Sequence, residues 1–121
     1  MNLAVGAFLL AAAATLAVAY DAKFDEFDAE GVAANPAALE AVVKCLAGLG
    51  VCNEQGAAYK ELMPEVVMTT CGKCTPRQQE ILKIVMGAAK RTYPDIYEAF
   101  KKAYDPNNAK GSALDAFVSR R

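Results

Sequence analysis

The chain contains no histidine and no tryptophan. Without an imidazole it cannot assemble a Ser-His-Asp or Cys-His catalytic arrangement, and it lacks the commonest metal ligand. It also lacks an excess of either charge: 13 basic residues face 14 acidic ones, for a net charge of -1. That balance supplies no electrostatic footprint for nucleic acid or an anionic membrane. No β-branched run alternates over strand length between turn signals, so no strand is expected. Gly48-Leu49-Gly50 follows no strand and reads as a helix stop, not a dinucleotide fingerprint. The carboxylates are scattered. Glu61 with Glu65, and Asp95 with Glu98, read as surface charge. No catalytic residue, cofactor or metal site emerges.

What is present is apolar and helical. Phe8 to Val18 is an apolar run closed by Ala17-Val18-Ala19, the pattern of a signal peptide cut before Tyr20. Residues 1–19 are read as a leader and 20–121 as one domain. The run is short for a membrane span, and no basic flank follows it.

The helix signals then come in order. Phe24-Asp25-Glu26-Phe27-Asp28 is an acidic, aromatic start, and Asp28 to Ala34 can form a brief helix. Asn35-Pro36 is a cap followed by a first-position proline, with Leu39, Val42, Val43 and Leu46 at helical spacing. Asn53 caps the next segment, whose apolar face is Tyr59, Leu62, Met63, Val66 and Val67. Pro64 predicts a kink or a restart there. Thr75-Pro76-Arg77-Gln78 is a capping box, opening a helix with Ile81, Leu82 and Val85 inward. Pro94 or Asp95 opens another, with Ile96, Tyr97 and Phe100. Ser112-Ala113-Leu114-Asp115 is a second capping-box pattern, predicting a last short helix. The fold class is all-α: five or six short helices in a compact bundle.

Four cysteines, Cys45, Cys52, Cys71 and Cys74, are spaced C-x6-C-x18-C-x2-C. An even count after a leader reads as disulfides in an oxidising compartment. Three pairings exist, of which the local one is the simplest. Two other uses are weaker. A C-x-x-C redox pair normally follows a strand, and C-x6-C is a poor half of a zinc site. The abundant apolar residues either fill a dry core or line a tunnel between crosslinked helices. Periodicity does not separate these two.

Beyond its cysteines, the sequence is similar to the insect chemosensory proteins, the OS-D or pherokine family. Phe24-Asp25 and Asp28 stand where the family has a tyrosine–aspartate start and a following aspartate. Val43-Lys44-Cys45-Leu46, Gly50 before Cys52, and Gly56, Lys60, Pro64 and Glu65 match its first-cysteine helix and central segment. Cys71-Gly72-Lys73-Cys74-Thr75 with Gln78 matches C-x-K-C-[ST]-x-x-Q, and Tyr104-Asp105-Pro106 resembles its terminal Tyr-Asp-Pro.

The resemblance implies a six-helix globule with disulfides 45–52 and 71–74 and a hydrophobic channel. Its implied cargo is small hydrophobic molecules: odorants, pheromones, fatty acids or related lipids. It implies a secreted protein without catalysis, in sensory lymph, haemolymph or another body fluid. A monomer without stable membrane insertion is the default. The channel candidates are Phe27, Leu39, Val42, Val43, Leu46, Tyr59, Leu62, Met63, Val66, Val67, Ile81, Leu82, Val85, Ile96, Tyr97 and Phe100. The chain departs from the family at Val42, where members have a tyrosine, and at Asp95-Ile96-Tyr97, where they often have tryptophan. Its tail also runs on through Leu114 and Phe117, to cap the channel mouth or pack outside it. The other reading is a secreted interaction or developmental protein acting through its surface.

Overall fold

The computed structural model describes residues 18–120. Of the expected leader, only Val18 and Ala19 fall within them. After a short 3-10 turn, Ala22–Glu26, six helices follow: α1 Ala29–Ala34, α2 Pro36–Ala47, α3 Glu54–Thr69, α4 Pro76–Thr92, α5 Pro94–Tyr104 and α6 Gly111–Ser119. No described residue lies in a strand. None of the described helices is long and apolar enough to cross a membrane.

The boundaries follow local chemistry. Asp28 accepts from the Gly31 amide at 3.0 Å, Asn35 from Ala38 at 3.1 Å and Asn53 from Gly56 at 2.7 Å. Each pairs an amide that the first helical turn leaves unbonded. The α4 capping box is complete: the Thr75 hydroxyl accepts from the Gln78 amide at 3.1 Å, and the Gln78 side chain accepts from the Thr75 amide at 3.0 Å. Gly48 ends α2 at φ 80°, where a glycine carries no Cβ penalty.

Two expectations need correction. First, the helix does not restart at Pro64; α3 runs as one element from Glu54 to Thr69. Pro64 supplies no backbone donor to that helix, and its ring is exposed. Second, the Ser112 capping box does not form. Helix α6 begins at Gly111 without a side-chain cap. The Asp115 carboxylate instead accepts from the Tyr97 hydroxyl at 2.6 Å and pairs with the Lys101 ammonium at 3.1 Å. A tertiary demand has taken the side chain that the local pattern assigned to the cap.

Helix α4 is central. It packs against α1, α2, α5, α6 and the 3-10 turn. Helix α2 in turn packs against α1, α3, α4 and α5. Helices α3 and α4 are consecutive in sequence, yet they are not among the closely packed pairs. At the opposite flank α6 comes close to α4. A Cβ built on Gly87 would stand 2.8 Å from the Val118 carbonyl oxygen, so only glycine admits this approach. Tyr97, Phe100, Leu114 and Val118 are fully buried there. The tail therefore completes the core beside α4.

Both disulfides join neighbours in sequence, Cys45 to Cys52 and Cys71 to Cys74. No described cysteine is free.

Candidate ligand-binding cavity

The space between α3 and α4 is an apolar cavity of about 170 Å³. Its walls come from five places: Tyr20, Phe24 and Phe27 of the N-terminal segment; Ala41, Val42, Cys45 and Leu46 of α2; Val51 and Asn53 of the connector; Gln55, Gly56, Tyr59, Leu62, Met63 and Val66 of α3; and Ile81, Leu82, Val85 and Met86 of α4. Cys71 and Cys74 of the turn between α3 and α4, with Gln78 in the first turn of α4, complete them. Ala41, Val51, Asn53 and Gln55 are exposed, which puts the rim on that side.

The sequence-derived channel candidates divide between two places. Phe27, Val42, Leu46, Tyr59, Leu62, Met63, Val66, Ile81, Leu82 and Val85 line the cavity. Leu39, Val43, Val67, Ile96, Tyr97 and Phe100 do not line it; they belong to the packed core or lie against it. Helical spacing identifies an inward face but not what stands opposite it. Tyr20, Phe24 and Gln78 line the wall without having been singled out for it. The Phe24-to-Phe27 spacing hinted at the ring pair, but only the fold brings Tyr20 and Gln78 there.

The N-terminal segment closes one end. Tyr59 is the post it leans on: its ring meets Phe24 edge-on at 5.1 Å and Phe27 at 5.4 Å. Such pairs add about 0.5–1.5 kcal/mol beyond their buried area. The Tyr59 hydroxyl donates to the Phe24 carbonyl. Gln78 is the second anchor. Its amide nitrogen donates to the Asp21 carbonyl at 3.0 Å and to Asp25 Oδ1 at 2.8 Å. Thr75 Oγ1 donates to the same Asp25 oxygen at 2.8 Å. Arg77 reaches the Phe27 carbonyl at 3.3 Å and pairs with Glu30 and Glu80. Tyr20 donates its hydroxyl to Glu65 at 2.7 Å, and its amide donates to the Lys73 carbonyl at 3.0 Å.

Electrostatics at this end lean negative. Burial, then the Asp25 carboxylate, push the Tyr59 phenol up to about 12. Burial and the bonded Glu65 likewise raise that of Tyr20. The Glu65 carboxyl is held low by its hydrogen bonds from Tyr20 and Lys73. The walls therefore offer apolar contact and internally satisfied polar groups, an arrangement for holding a molecule.

Residues 20–111 match the insect pheromone-binding family, A10/OS-D. The chain is 34% identical over 88 residues to the "Putative odorant-binding protein A10" of Drosophila melanogaster, covering 73% of this chain and 57% of that protein. The match therefore spans little more than half of that relative's length. It is 29% identical over 89 residues to "Allergen Tha p 1" of Thaumetopoea pityocampa, covering 74% of this chain and 71% of that one. A solved structure described as a chemosensory protein in complex with bromo-dodecanol superposes with a TM-score of 0.70 at 24% identity. It covers 84% of this chain and 99% of that chain, and it shows the shared fold. By its match over residues 20–111, the chain belongs to the insect pheromone-binding family A10/OS-D, and that membership implies a secreted, extracellular role.

Proposed function

We propose that this protein carries small hydrophobic molecules, holding them reversibly in the cavity between α3 and α4. The observation that bears most weight is that gap: two consecutive helices stand apart around an apolar space of about 170 Å³. It is close to the ~150 Å³ at which an engineered apolar cavity takes up benzene. A longer ligand extends through the rim or spreads the walls, where Met63 and Met86 supply adaptable side chains. Burying a chain of about 10–12 carbons yields roughly 8–10 kcal/mol before association and ordering costs. That surplus fits dissociation constants on the order of micromolar.

The named ligands of the relatives support the same class. The family match beginning at residue 20 supports a leader over 1–19 and one domain over 20–121. The carrier acts as a monomer in sensory lymph, haemolymph or a similar fluid. Calorimetric titration with alcohols, esters and acids of eight to sixteen carbons tests the reading. Saturable one-site binding is expected, and Leu62→Trp, which fills the gap, abolishes it. No binding tighter than about 100 µM across the series would overturn the proposal.

A further inference from the structure

The polar atoms at the closed end of the cavity are unequal in what they still offer a ligand. The Tyr59 hydroxyl has spent its hydrogen on the Phe24 carbonyl, and the Tyr20 hydroxyl on Glu65. Both amide hydrogens of Gln78 are spent on Asp21 and Asp25. These three side chains keep oxygen lone pairs but no free donor. Two carboxylates, Asp25 and Glu65, stand directly behind them. The cations nearby are already matched: Lys73 pairs with Glu65 at 3.0 Å, and Arg77 with Glu30 and Glu80 at 2.9 and 2.6 Å. Lys23 is exposed and lies 5.2 Å from the Phe24 ring centre. No lysine or arginine lines the cavity. Side-chain donors lie at the opposite, exposed rim, where Asn53 spends its oxygen on the Gly56 amide but keeps its NH2 group and Gln55 adds another.

We infer that this end of the cavity selects uncharged ligands with a hydrogen-bond donor, such as long-chain alcohols, over alkyl carboxylates. An O–H group finds acceptors there. At this end an ether or ester finds no free side-chain donor, and a carboxylate finds neither a free donor nor a cation in the wall and must be desolvated beside Asp25. Burial is the larger cause of the raised Tyr59 phenol, but the Asp25 carboxylate adds to it against the lowering effect of Arg77. This selectivity rests on the carrier reading.

Calorimetry at pH 7 with dodecan-1-ol, dodecyl methyl ether and dodecanoate, matched in chain length, tests it. The expected order is alcohol, then ether, then carboxylate, with dodecanoate at least about tenfold weaker than the alcohol. Asp25→Asn narrows the gap between alcohol and carboxylate. Tyr59→Phe and, independently, Tyr20→Phe shrink the advantage of the alcohol over the ether, with thermal melts confirming that each variant is folded. Dodecanoate binding as tightly as the alcohol overturns the inference, as does an ether equal to the alcohol. Failure of all three ligands to bind instead removes the carrier reading beneath it.

Discussion

Helix α4 has two flanks built from similar residues and filled in opposite ways. On one flank α6 seats so closely that Gly87 has no room for a Cβ beside the Val118 carbonyl. Tyr97, Phe100 and Leu114 are sealed there. On the other flank Ile81, Leu82, Val85 and Met86 face an open space, because α3 stands off. Hydropathy does not distinguish the flanks. The tethers do. The C-terminal flank is drawn together by a half-buried polar clasp, in which Tyr97 and Lys101 converge on Asp115. The open flank is held at its ends, by the disulfide at each turn and by an N-terminal segment propped on Tyr59. Pinning the ends of two helices fixes their separation without filling the middle.

The sharpest way to break this contrast is to make one chemical change on each flank. Leu114→Ala opens a new void in a sealed core and costs about 4–5 kcal/mol. Leu82→Ala enlarges a space already present, where partner contacts are already missing, and costs about 2 kcal/mol. Urea denaturation of the two variants measures the difference, and equal costs would mean the flanks are not distinct. Next in size is the Cys45–Cys52 link. Replacing both with serine lowers stability by about 2.5 kcal/mol on loop-entropy grounds, and the 71–74 pair by about 2 kcal/mol. Both losses should weaken ligand binding, since Cys45, Cys71 and Cys74 border the cavity. Gly87→Ala forces α6 outward and costs about 1–3 kcal/mol, while ligand affinity stays at the wild-type value. A fall in affinity of the same size would show that the flanks communicate.

The smallest effect belongs to the clasp. Tyr97→Phe costs about 1 kcal/mol. Burial pushes the Asp115 carboxyl up, but the hydrogen bonds from Tyr97 and Lys101 outweigh it and hold the group below its ordinary value. A carboxyl depressed in the folded state stabilises above the unfolded value, about 3.9, and loses that contribution as pH falls through the lower folded one. Acid melts should therefore show wild type losing more stability than Asp115→Asn below about pH 4. Identical acid slopes would remove Asp115 from the account.

Much of the helical order was legible because its signals are local. Asn35-Pro36, Asn53 and the Thr75–Gln78 box state helix starts within four residues, and each forms as read. The Ser112 pattern is as good on paper and fails, since Asp115 finds stronger partners on α5. The resemblance carried the six-helix architecture and the disulfides. What stayed hidden was the division of the inward faces. Val85 and Phe100 are both apolar, both helical in spacing and both buried, yet one borders the cavity and the other does not. Gln78 shows the same limit: its capping role is readable from its neighbours, but its grip on Asp21 and Asp25 depends on how the chain returns.

With no tryptophan, the near-ultraviolet signal of this protein comes mainly from its five tyrosines. They are distributed across the two flanks. Tyr20 and Tyr59 stand at the closed end of the cavity, and Tyr97 is sealed beneath α6 with its hydroxyl on a carboxylate. The phenols of all three are raised by burial first. An alkaline absorbance titration thus reads the molecule by region without any label. Burial and Asp25 push the Tyr59 phenol up to about 12, and losing its proton removes the hydrogen bond to the Phe24 carbonyl, so a ligand that further buries the ring is expected to delay that step.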